Sequence, residues 1–334
     1  MCSFFLANRG RFGQRMDWFT RAAEALKETT NEWLRAAVQV SLGIVYQEHP
    51  FGDRRMNLHH AIAACTQALR FYTPRTAPLD YATTQDNLGS AYGDLAGVED
   101  RPENLRRAIS AYDEALRFRT PEAAPLDCAG TQNNLGTTYG DLASVEDRAA
   151  NLQRAIEAFS EALRFYTPKT APLDYAGTQN NLGNAYHNLA GVEDQAENLR
   201  QAIAAHAEAL RFRTPETAPL AYAMTQNNLD NAYRNLAGVE DQAENLRQAI
   251  VAHAEALRFR TPETAPLAYA MTQADLGLAH DDSGDLRAAV ACWREAEPYY
   301  RAMDNVEDAD LMLKWIADAE ARLAGGEATG GEPT

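Results

Sequence analysis

Apolar residues in this chain fall at the spacing of a helix face, and the same polar and apolar pattern returns at a constant step along most of its length. In one stretch Tyr81, Leu88, Tyr92 and Leu95 come back to one side of a helix. After a polar break a second stripe follows, with Leu105, Ala108, Ile109, Tyr112, Ala115 and Leu116. Pro78 opens the first helix, because N–H groups in a first turn have no intrahelical partner and a proline is tolerated there. Asp100 and Glu103 predict a capping box for the second, repeated at Asp194 with Glu197 and at Asp241 with Glu244. Asp147 is followed by Ala150 and lacks the glutamate. The second helix stops near Thr120, since Pro121 disfavours helical geometry in the residue before it.

Three markers keep one step of 47 residues: Pro-Leu at Pro78, Pro125, Pro172, Pro219 and Pro266, Asn-Leu from Asn57 to Asn245, and Thr-Pro from Thr73 to Thr261. Each repeat therefore predicts a helical hairpin that cannot bury its stripe alone, so successive hairpins must stack on a shared core. The expected fold is all-α, an α-solenoid of about six stacked antiparallel hairpins with a C-terminal capping helix. Repeat units are expected near 32–77, 78–124, 125–171, 172–218, 219–265 and 266–303, within a solenoid over 12–303. A flexible segment is expected over 1–11, a capping helix over 304–324 with Leu311, Trp315, Ile316 and Leu323 as its stripe, and a disordered tail over 325–334. Ala108, Ala155, Ala202 and Ala249 are expected to let helices approach closely, with Tyr112 and Phe159 filling the adjoining gaps.

Composition narrows the partners. Among 334 residues, 46% are hydrophobic, yet no uninterrupted apolar run reaches the roughly 20 residues of a membrane span. The patch Phe4, Phe5, Leu6 lacks the basic and long apolar parts of a secretory signal, so a cytoplasmic, membrane-free protein is expected. A net charge of −16 disfavours nucleic acid. Cys2, Cys65, Cys128 and Cys292 form no C-x-x-C pair and are expected to be free thiols.

The order Leu88-Gly89, Tyr92, Ala108, Tyr112, Ala115 and Pro121 resembles the small and large packing positions of the tetratricopeptide repeat family. Two departures stand out: the unit has 47 residues rather than about 34, and Gln85, Gln132, Gln179, Gln226 and Gln273 hold the place of the family's tryptophan. The string Thr131 to Gly136 is similar to the long repeats of kinesin light chains and of bacterial arrays joined to CHAT proteases or signalling ATPases. The resemblance implies a right-handed superhelix, and binding of a protein segment in a concave groove lined by each first helix. It places Asn87, Asn134, Asn181 and Asn228 at the groove asparagine.

The rest of that face is also rich in carboxamides. The candidate groove set is Asn87, Asn133, Asn134, Asn180, Asn181, Asn184, His187, Asn188, Asn227, Asn228, Asn231, Arg234 and Asn235. Asparagine both donates and accepts, so a ladder of them can pair with the backbone of an extended segment whatever its side chains. The same residues could instead bond across neighbouring helices. His187 and Arg234 are the basic residues expected there, and Asp86, Asp94, Asp141 and Asp282 favour a neutral or basic partner segment. Residues 192–226 and 239–273 differ only at Ala204 and Val251, which makes head-to-tail self-assembly through the solenoid ends the alternative function. His206 and His253 stand at the position of Tyr112 and Phe159 and are expected to pack rather than bind metal. No catalytic constellation and no cofactor site is expected, because nothing in the pattern breaks the repeat convincingly.

Overall fold

The structure is a computed structural model that describes residues 2–26 and 31–329, with side chains placed over 14–26 and 31–324. It divides into two compact units, Met1–Thr170 and Ala171–Thr334. Among the described residues every regular element is a helix.

The first unit holds α1 (Cys2–Ala25), α2 (Glu32–Glu48), α3 (Arg54–Ala68), α4 (Pro78–Ala96), α5 (Arg101–Leu116), α6 (Pro125–Leu142) and α7 (Arg148–Ala162). The second holds α8 (Pro172–Ala190), α9 (Gln195–Leu210), α10 (Pro219–Ala237), α11 (Gln242–Leu257), α12 (Pro266–Asp282), α13 (Leu286–Ala302) and α14 (Val306–Thr329). Within each unit every helix packs on the next in sequence, so each unit is a stack of antiparallel hairpins. Helix α1 is already formed at Cys2, where a flexible segment was expected through residue 11, and α14 runs through Thr329 into the expected tail. Positions 330–334 of that tail lie outside the described residues.

A repeated contact knits each hairpin. Ala108, Ala155, Ala202 and Ala249 are all 0% exposed, and the large residue four positions later fills the space beside them. The first helix makes room with a glycine: a Cβ on Gly89 would lie 2.8 Å from the Tyr112 ring, and one on Gly183 would lie 2.6 Å from His206. Cys65 takes this packing position in the first hairpin, and burial pushes its thiol up to about 12.

The glutamines that depart from the family's tryptophan have partners of their own. Gln85 Nε2 donates to the Tyr81 hydroxyl at 3.0 Å, and that hydroxyl donates to Glu114 at 3.0 Å. Gln179, Tyr175 and Glu208 repeat the chain, as do Gln226, Tyr222 and Glu255. Each tyrosine ring also meets a phenylalanine edge-on, as Tyr81 does Phe118 at 5.5 Å. A polar relay with an aromatic edge contact thus replaces one large side chain.

Two expectations are corrected. The capping boxes do not form: Asp100, Asp147, Asp194 and Asp241 sit at φ between 40° and 45°, and none makes a side-chain cap. Aspartate is among the few residues that enter this left-handed region readily. The turn is tied instead by the Asn-Leu asparagine, buried and bonded backwards: Asn104 Nδ2 donates to the Glu99 carbonyl at 2.8 Å, as Asn151, Asn198 and Asn245 do to Glu146, Glu193 and Glu240. The stripe of α14 departs from expectation at one position. Ala309, Met312, Ile316 and Ala319 are buried, while Leu311 is 37% exposed. Ile316 is buried and Trp315 packs against the cluster as expected, and Met312 rather than Leu311 takes the buried place between Ala309 and Ile316.

Candidate functional site

The candidate groove residues lie on the first helices of their hairpins, α4 and α6 in the first unit and α8 and α10 in the second. In the first unit Asn134 bonds to the Asp86 carboxylate, and Asn133 is engaged within the chain. Asn87 is half-buried, and its side chain makes no intramolecular hydrogen bond among the described residues.

The second unit sorts its residues more sharply. Asn180 is only 5% exposed and accepts from Asn228 Nδ2 at 3.1 Å, which takes it off the surface. Asn227 Oδ1 accepts from Arg260 and from Thr272, both at 3.1 Å. Asn235 and His187 bond at 2.7 Å, and Asn181 and Asn188 are engaged within the chain. Asn184 and Asn231 remain. They are half-buried, occupy the same repeat position on α8 and α10, and have no hydrogen-bond partner among the described residues. Most of the carboxamide ladder is therefore engaged within the chain.

The charge of the face also differs from expectation. Asp86 pairs with Arg119 at 3.4 Å, Asp94 with Arg54 at 2.8 Å, Asp141 with Arg101 at 3.3 Å, and Asp282 with Arg234 at 3.7 Å. All four acids expected to make this face negative are balanced by the chain's own arginines. Arg119, Arg213 and Arg260 were not anticipated here. They follow the second helices α5, α9 and α11, and their guanidinium groups reach Thr131, Thr225 and Thr272 on the next first helix. The sequence signal was their common register against Tyr166, but only the stacking shows where they point.

One element does break the repeat. Asp230 stands on α10 where other first helices carry Gly89, Gly136, Gly183 and Gly277, and it forms an ion pair with His253 of α11, both side chains 0% exposed. Burial pushes the Asp230 carboxyl up to about 6 although His253 draws it down. Neither side chain reaches solvent.

His206, at the same position one repeat earlier, has no such partner, and burial lowers its pKa to about 3, with His187 and Arg213 adding to the shift. A histidine held neutral in the fold but protonated in the unfolded chain loses stability as pH falls below its ordinary value near 6.5. We expect His206→Phe, which copies Phe159, to remove roughly 2 kcal/mol of the stability lost between pH 6.5 and 5. Urea midpoints of parent and variant at the two pH values check this; parallel slopes would count against a neutral buried His206.

Among the described residues no helix is long and apolar enough to cross a membrane. No protein-family model and no curated protein sequence matches the chain. Solved structures of similar fold do. The C-terminal part of a TPR repeat-containing protein from Cytophaga hutchinsonii superposes with a TM-score of 0.53 at 12% identity, over 92% of this chain and 97% of that one. BtubC (BKLC) from P. vanneervenii gives 0.52 at 22% identity, over 74% and 92%. A chain of the Cut9–Hcn1 hetero-tetramer of APC/C gives 0.53 at 17% identity, and this chain spans 91% of its own length and 46% of that one. The fold is thus that of tetratricopeptide-type repeat proteins.

Proposed function

We propose that the chain is a non-catalytic scaffold that holds a segment of another protein against the polar face of its first helices, with Asn184 and Asn231 as the central contacts. The observation that carries this reading is the pair itself. Two half-buried carboxamides at one repeat position on adjacent helices have no partner, while the asparagines around them are bonded. Neither amide is sealed from water, so a bound segment can displace that water, and an extended backbone offers both the acceptor and the donor such a group pairs with. Asn87 offers the same group in the first unit. Because the nearby acids are paired with arginines, the segment is uncharged where it meets these asparagines. A similar fold within the Cut9–Hcn1 hetero-tetramer is consistent with assembly on an unlike chain.

The test compares partners recovered from the native cell by the parent and by Asn184→Ala with Asn231→Ala. We expect the pair of substitutions to weaken the bound partner by at least about tenfold, as the loss of two partly buried hydrogen bonds does, while the thermal midpoint stays unchanged. Retention of every partner at full affinity would remove the groove reading. A concentration-dependent rise in mass without any partner would favour self-assembly instead.

A further inference from the structure

Arg119, Arg213 and Arg260 occupy one repeated niche, and the differences among the three niches single out Arg213. In the first, Arg119 donates from Nη1 to Thr131 Oγ1 at 2.8 Å and from Nη2 to Thr83 Oγ1 at 3.1 Å, with the Asp86 carboxylate 3.4 Å away. In the last, Arg260 donates to Thr272 at 2.7 Å and to Asn227 at 3.1 Å, with the Asp275 carboxylate nearby favouring its charge. Arg213 keeps only the threonine, Thr225 Oγ1 at 2.9 Å. Gly177 stands where the first niche has Thr83, and Asn180 and Asn228 stand where the other niches have Asp86 and Asp275. Those two amides bond each other instead.

The result is a half-buried guanidinium with no acid paired to it among the described residues. Burial alone lowers its pKa, with no neighbouring carboxylate to offset the effect. A Cβ on Gly177 would lie 3.4 Å from Nη2, so that nitrogen faces the slot where a side chain is missing. A charge withdrawn from water without a counter-charge is unfavourable, and the planar donor fork of arginine matches a carboxylate.

We propose that Arg213 is a carboxylate-binding anchor, taking an acidic group of the bound partner into the slot bordered by Gly177, Asn180 and Asn228. This rests on the groove reading for its partner, but not for its chemistry. The group is either an aspartate or glutamate side chain or the carboxylate that ends a chain.

The experiment follows the arginine Nε–H resonances of the full chain by NMR, with Arg213→Gln identifying the signal of interest. The probes are N-acetylglutamate α-amide for a side-chain carboxylate and N-acetylalanine for a terminal one, each against sodium chloride. We expect a saturable shift at Arg213 with an apparent affinity at least roughly tenfold tighter than at Arg119 or Arg260, the difference one charge-assisted hydrogen bond commonly makes. The tighter probe identifies the source. Asn180→Asp supplies the acid that Asp86 provides in the first niche, and should abolish the response and raise the thermal midpoint. Should that variant fold poorly, Gly177→Thr closes the same slot. A response at Arg213 no larger than at Arg119 and Arg260, or one that survives both variants, overturns the proposal. Partner loss in the Asn184 and Asn231 variant with no preferential shift at Arg213 keeps the groove and removes the anchor. A preferential shift with partner binding intact in that variant keeps the carboxylate site and removes the groove.

Discussion

Replacing His253 by alanine is expected to destabilise the second unit by about 3–5 kcal/mol at neutral pH, because it leaves the Asp230 carboxylate buried without its partner. Both side chains are 0% exposed, so the carboxylate left behind has no direct contact with bulk water. The cost arises from the orphaned charge rather than from the volume removed, and this separates two variants. Asp230→Gly combined with His253→Phe removes the carboxyl and the imidazole together and rebuilds the glycine and phenylalanine contact of Gly136 with Phe159. That double variant should be within about 1.5 kcal/mol of the parent or more stable, since apolar replacement of a buried pair is often neutral or favourable. In the single variant Asp230 should titrate higher still. A carboxyl whose pKa is raised in the fold holds protons that the unfolded chain has released, so His253→Ala should regain part of its lost stability as pH falls from 7 toward 5. Amide exchange in α10 and α11, with urea midpoints, measures both effects. Equal destabilisation in the single and double variants would show that shape, and not charge, governs this site.

The second large effect is expected at Trp293. This side chain is 1% exposed, takes the position of Tyr112 and Phe159 in the last hairpin, and packs against Gly277. Its indole Nε1 donates to the Ala274 carbonyl at 3.1 Å, and its ring meets Trp315 of α14 at 5.4 Å. It thus joins α12, α13 and the closing helix in one apolar cluster. Trp293→Ala should cost about 3–5 kcal/mol through lost burial and the cavity left behind. Trp293→Phe keeps most of the ring and should cost much less, about 1–2 kcal/mol with the hydrogen bond included. The expected signature is faster amide exchange in α14 and α12, with the helices of residues 1–170 unaffected. Uniform loosening of both units would mean that the cluster is not local.

Comparison of particular residues shows why some of this was legible beforehand. The hairpins follow from Pro78 and its counterparts at the helix starts, from Pro121 at a helix end, and from stripes at helical spacing, all local facts of the chain. The packing alanines and the aromatic positions follow as well, because burial repeats with the same period as the sequence. The ion pairs Arg117 with Glu114 and Arg211 with Glu208 follow from a spacing of three within one helix. The capping boxes failed because Asp100 and Asp194 had a second local option, the left-handed turn, and the buried asparagine that holds it lies on the far side of that turn.

The candidate site was less legible. Asn180, Asn184 and Asn228 carry the same side chain, yet two bond to each other and one is left without a partner. Arg119 and Arg213 share a repeat position, yet one meets Asp86 and the other meets only the Thr225 hydroxyl beside a glycine. The chain alone therefore determined the helical hairpins, their step and the residues that bury them, since each depends on neighbours within one or two helical turns. Tertiary structure alone decided which carboxamides are occupied, which acids are neutralised, and that Asp230 meets His253. Those outcomes join residues tens of positions apart, and stacking register and side-chain reach set them.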